Sequence, residues 1–240
     1  MKLIIKNKPT SLHHKLVEFQ KDINGTYPNL TASLKQELFK ALLEEQGYIC
    51  AYCMQKINET NSTIEHIIGQ NFIDEYENKL GEKNQLNYDN LLVVCEGKSC
   101  KDNLHCDKSR ANYQRNRPLY ANPLEDKIIQ NIKFSEKGMI YYKEFLEIEK
   151  IEELKKHDEL DKDSNIKYDL QKVLNLNCEN LKQKRINLIH ALKRFTKDWS
   201  NQERIKNELD KYLSKSSNNK YEELSQVAIY FLRKKLKAKK

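Results

Sequence analysis

Residues 48–68 read YICAYCMQKINETNSTIEHII, and within them Cys50-x-x-Cys53 is followed by an adjacent carboxylate and imidazole, Glu65-His66. The two-residue gap lets both sulfurs reach one metal ion from a tight turn. Downstream the order continues through Asn90, Cys95, Cys100, Cys106 and Asp107. Four thiols can close a structural metal site, and a carboxylate–imidazole pair inside their loop can do acid–base or metal chemistry. A metal-binding module alone does not need Glu65-His66, and a hydrolytic site alone does not need the thiols.

Composition narrows the setting. The 240 residues carry a formal net charge of +8 and a sequence pI of about 9.0. Lys and Arg release counterions from phosphates, so an anionic partner is favoured. The start, MKLIIKNKPT, has a three-residue apolar run and then turns polar, and no later run approaches the ~20 apolar residues of a membrane span. A cytoplasmic protein without membrane contact is expected. Disulfides are rare in that compartment, so clustered cysteines read as metal ligands.

The expected class is α+β and mostly helical. Residues 10–22 and 31–46 read as helices, the second with Leu34, Leu38, Ala41 and Leu42 on one face, Thr31 or Ser33 as cap and Gly47 as terminator. Strands are expected at Tyr48–Cys53, Thr63–Ile68 and Leu91–Cys95. Residues 73–90 read as a loop or short helix, and a helix begins near Cys106. Ile128–Phe134 and Met139–Tyr142 flank Ser135–Gly138 as a hairpin, with Gly138 supplying positive φ. From about residue 145 the pattern is helical. Residues 144–163 hold nine acids and read as a solvated helix or linker, and the last nine residues, with six cations, as a frayed terminus. The chain divides into an N-terminal helical segment (1–47), a core (48–117), and a hairpin plus helical region with apolar stripes suited to partner docking (118–240).

Among the thiols, Cys50 and Cys53 pair with two of Cys95, Cys100 and Cys106 to make a tetrahedral set. Cys95, at the end of an apolar run, and Cys106, at a helix start, are favoured, and Cys100 is the spare. Cys178, alone in the helical region, reads as core. His66 is a proton acceptor at neutral pH, and Glu65 and Asp107 offer oxygens to a hard cation such as Mg²⁺. Together these residues imply a small nuclease core. A non-catalytic zinc-containing binder of nucleic acid, or an interaction subunit, is the competing class.

CAYC, TIEHII, Asn90-Leu-Leu and Cys106-Asp-Lys-Ser-Arg110 together resemble an HNH endonuclease with a ββα-metal core stabilised by a four-cysteine zinc site. EEQGYICAYC, NYDNLLVVC and HCDKSR resemble, more narrowly, the nuclease subunit of the Septu anti-phage system and its retron-associated relatives, over roughly residues 36–112. The resemblance implies that His66 is the general base, that Glu65 and Asp107 hold a catalytic Mg²⁺ or Mn²⁺, and that Asn90 fixes the loop carrying His66. It puts Arg110 near the phosphate, and Cys50, Cys53, Cys95 and Cys106 around a structural Zn²⁺. Asp107 stands where the family usually has Asn or His, and His105 is the alternative ligand. Gly69 stands where many members have proline. The implied substrate is nucleic acid, with DNA favoured over an RNA such as tRNA. The implied partner is an SMC/ABC-like ATPase subunit, joined in retron-associated versions by a reverse transcriptase and its RNA–DNA product. The chain itself has no G-x-x-x-x-G-K-[ST] loop, so ATP would bind elsewhere.

Overall fold

The computed structural model describes residues 1–98, 103–113, 117–156, 161–197 and 202–237. About half the chain is helical, with two small antiparallel sheets, so the class is α+β. Helix α1 (Thr10–Gln20) precedes α2 (Ala32–Glu45), where the Thr31 side chain accepts from the Leu34 amide at 3.3 Å. α2 buries Leu38, Leu42 and Leu43 on one face and ends at Gly47, whose φ of +61° a side chain rarely adopts.

Tyr48–Cys53 is a turn and not the expected strand. Ile49 bridges to Lys56, the Met54 amide donates to the Cys50 carbonyl at 3.0 Å, and the Cys50 amide donates to that of Gln55 at 2.9 Å. Residues three apart on a strand face opposite sides, so an extended segment would aim the two sulfurs apart. The turn brings them together.

Strand β1 (Ser62–His66) pairs antiparallel with β2 (Leu91–Cys95), from Ser62 opposite Cys95 to His66 opposite Leu91. The span between them holds the short helix α3 (Leu80–Asn84) and a 3₁₀ turn at Tyr88–Asn90. Every residue of β2 is buried. Helix α4 (Cys106–Asn112) packs against β2, and α2 lies against the same strand. The Gln46 side chain joins that edge as a strand would. Its amide nitrogen donates to the carbonyls of Val93 (2.7 Å) and Ile49 (3.1 Å), and its oxygen accepts from the Val93 amide (2.7 Å).

Beyond Pro118, α5 (Asp126–Gln130) takes Ile128 and Ile129 out of the expected strand, leaving β3 (Ile132–Phe134) to pair with β4 (Ile140–Tyr142). Gly138 closes that hairpin at φ +71°, where a Cβ would meet the Lys182 carbonyl oxygen at 2.4 Å. Then follow α6 (Ile148–Lys156), α7 (Lys162–Tyr168) continuing into a π-helical turn at Asp169–Val173, α8 (Glu179–Lys197), α9 (Gln202–Leu213) and α10 (Ser225–Lys237). The acidic stretch is not wholly solvated, since α6 buries Ile151. Nor is the basic end frayed as far as Lys237; residues 238–240 lie outside the described residues. One apolar core runs from Met1 to Val227 through all three expected segments, and a smaller cluster joins α8, α9 and α10. Among the described residues no helix is long and apolar enough to cross a membrane.

Candidate metal centre and active site

Cys50 and Cys53 from the turn, Cys95 from the end of β2 and Cys106 from the start of α4 converge, with all four sulfurs within 4.8 Å of one another and all four residues buried. Cys50 Sγ lies 3.8 Å from Cys106 Sγ, and Cys53 Sγ lies 3.5 Å from Cys95 Sγ. These are not bonded sulfurs. A tetrahedral tetrathiolate with ~2.3 Å metal–sulfur bonds spaces its sulfurs roughly 3.8 Å apart. The donor set therefore fits a single thiophilic cation. Burial and the neighbouring sulfurs push the Cys106 thiol up. Against its own burial, hydrogen bonds from Cys106, Cys50 and Cys95 hold the Cys53 thiol well below the ordinary range. A cation would remove the conflict by stabilising all four thiolates.

The surroundings brace this set. The Cys95 amide donates to Cys50 Sγ at 3.3 Å, and His105 Nδ1 lies 3.3 Å from Cys106 Sγ. His105 is thus a neighbour of the sulfurs, buried on their side. Gly97 has φ +68° and runs so close to His105 that a Cβ would overlap its carbonyl oxygen. Cys100 lies outside the described residues. Cys178 is buried in the main core and is not among the four.

His66 ends β1 and is buried. Its Nε2 lies 3.0 Å from the Gln85 carbonyl oxygen, and its Nδ1 lies 3.4 Å from Gln70 Nε2. Burial pushes the imidazole down to about 4, with the Arg110 guanidinium acting in the same direction and the Gln85 hydrogen bond opposing them. The ring is therefore neutral at physiological pH. A carbonyl only accepts, so the proton sits on Nε2 and Nδ1 keeps a lone pair. Asn90 staples the flanking loops. Its Oδ1 accepts from the Ile68 amide (2.8 Å), and its Nδ2 donates to the carbonyls of Ile68 (3.1 Å) and Asn84 (3.0 Å).

Glu65, His66, Gly69, Gln70, Asn71 and Asp107 line one cavity of about 290 Å³. Two carboxylates and a neutral imidazole thus line one pocket, while among the described residues only the four cysteines bring three or more metal-ligating atoms close together. Arg110 differs from the expectation of a phosphate contact. It is 2% exposed, ion-paired with Glu65, and donates to the carbonyls of His66 (2.8 Å) and Ile67 (2.9 Å) and to Tyr52 Oη (3.3 Å). A phosphate cannot reach it, because these partners enclose it. Its work is to hold Glu65 and the backbone after β1.

Sequence reasoning missed Tyr27 and Gln85, which act through long-range contacts, and Gln70, four residues from His66; Gln46 lies in the quoted EEQGYICAYC stretch, but its bonds to Val93 leave no local pattern. The LNLN stretch, residues 174–177, makes two further links. Asn175 Nδ2 holds the Leu104 carbonyl at 2.7 Å, just ahead of His105 and Cys106. Asn177 clasps Ile140 on β4 from both sides, at 2.8 and 3.0 Å. Among families and curated proteins compared with this chain, no family model and no curated protein matches it.

Proposed function

We propose that this chain is a metal-dependent HNH endonuclease that hydrolyses phosphodiester bonds in nucleic acid. It would serve as the effector nuclease of a Septu- or retron-type anti-phage complex with a separate ATPase. The observation that carries the reading is the meeting of His66, Glu65 and Asp107 at one cavity, in the motif order Cys50-x-x-Cys53, Glu65-His66, Asn90, Cys106-Asp107. In this reading the paired strands β1 and β2 and helix α4 would be the two strands and the helix of a ββα-metal unit, and the four clustered cysteines would hold its Zn²⁺.

In this reading His66 Nδ1 takes a proton from water as the oxygen attacks phosphorus, while the Gln85 carbonyl keeps the other ring nitrogen protonated. Asn90 holds the loops on both sides of that hydrogen bond. Arg110 orients Glu65 through Oε1. Glu65 and Asp107 would hold Mg²⁺ or Mn²⁺, which neutralises the phosphate and stabilises the departing oxygen. The test is cleavage of a panel of duplex DNA, single-stranded DNA and tRNA by the chain purified with its ATPase partner in Mg²⁺. Cutting by the wild type and none by a folded His66→Ala is expected. A wild type that cuts nothing on the panel, or a His66→Ala that cuts equally well, overturns the proposal.

A further inference from the structure

We infer that Tyr27 and Gln85 form a positioning clamp that holds His66 in its Nε2–H tautomer, so that the N-terminal segment completes the active centre. Gln85 follows α3 and is buried, and it contacts its neighbours in two ways. Its main-chain oxygen takes the His66 Nε2 hydrogen bond at 3.0 Å, and its side-chain Oε1 takes the Tyr27 amide at 3.0 Å. The Tyr27 ring stands edge-on to the imidazole, with centroids 4.6 Å apart and planes at 89°. Tyr27 opens a 3₁₀ turn that ends at Asn29, well outside residues 48–117.

Each contact removes a different freedom. The carbonyl fixes which nitrogen carries the proton, and the perpendicular Tyr27 ring packed against the imidazole opposes its rotation about the Cβ–Cγ bond. The Tyr27 amide anchors the Gln85 side chain and with it the turn that presents the carbonyl. Asn90 secures the preceding residue through the Asn84 carbonyl. If the imidazole flipped, Cδ2 would take the place of Nδ1 and Cε1 that of Nε2, so the lone pair would no longer face Gln70 and the cavity and the Gln85 carbonyl would lose its N–H donor.

The kinetic part of this inference rests on the nuclease reading, whereas the tautomer does not. The experiment is two-dimensional ¹H–¹⁵N spectroscopy of the imidazole nitrogens in ¹⁵N-histidine-labelled protein, with His66 identified by its loss in His66→Gln. The wild type and Tyr27→Phe should both show a single Nε2–H form for His66. Tyr27→Ala should show mixed or exchange-broadened tautomers, with kcat lower by about ten- to a hundred-fold and KM little changed. If Tyr27→Ala does not fold, Gln85→Met, which fills similar volume without the Oε1 acceptor, carries the same expectation. A folded Tyr27→Ala or Gln85→Met with one unchanged tautomer overturns the clamp, as does a wild-type His66 protonated on Nδ1. A wild type that never cuts removes the nuclease reading, and the spectra still decide the clamp.

Discussion

The Arg110 guanidinium on α4 and the Glu65 carboxylate on β1 form a buried ion pair. It ties the helix that opens with Cys106 to the strand that ends at His66. Arg110→Met strands the Glu65 charge in a buried site and should cost about 3–5 kcal/mol, read from the shift in urea midpoint. Adding Glu65→Gln should recover part of that loss. A single variant as stable as wild type would show that the pair does not hold these elements together.

The four-sulfur set predicts about one zinc per chain by elemental analysis of the purified protein. Cys106→Ser and Cys53→Ser should each abolish it and melt the surrounding turn, whereas Cys178→Ser should keep it. Metal binding displaces protons from the thiols, so zinc affinity should fall steadily as pH is lowered. Retention of full zinc by Cys106→Ser would return Cys100 or His105 to the ligand set.

Gln46 makes three hydrogen bonds at the edge of β2 while almost wholly buried. Gln46→Ala should destabilise the fold by about 2–3 kcal/mol through backbone groups left without partners. Gln46→Glu should be worse, because an ionised carboxylate cannot donate to the Val93 and Ile49 carbonyls it would face. Equal stability of the glutamate variant in chemical denaturation would contradict this arrangement.

Asn90 and Asn177 each hold one residue's amide and carbonyl with a single side chain, Ile68 in one case and Ile140 in the other. Asn90→Asp and Asn177→Asp should both lose stability, since each gives up a donor to a carbonyl. In the proposed nuclease only Asn90→Asp should lose cutting per folded molecule, by about a hundred-fold, because only it adjoins His66. Parallel losses of activity in both variants would reduce Asn90 to a general stabiliser.

Much of the scaffold is legible in the sequence because it is local. α2 carries its own cap and apolar face, the β3–β4 hairpin turns at Gly138, and the cysteine spacings follow from ligand geometry. The segment 48–53 read as a strand because Tyr48, Ile49 and Tyr52 are strand-like residues. Convergence of sulfurs three apart, together with a Gly47–Tyr48 pair at positive φ, turned it instead. The resemblance puts Arg110 near the phosphate, but its position in a short motif says nothing about which side of α4 is covered. Tyr27 and Gln85 lie 39 and 19 residues from His66, and no periodicity connects them.

Cys106 and Asp107 are consecutive residues at the start of α4, one joined to the sulfur cluster and the other lining the cavity. A single peptide bond thus works as a mechanical linkage between two sites of different chemistry. Exchanging a zinc ion held by the four sulfurs for a larger thiophilic ion such as cadmium would push the Cys106 sulfur outward and drag the Asp107 carboxylate with it. In the proposed nuclease the dimensions of the active centre would then be adjustable from a distance, by ion radius, with none of its own residues replaced.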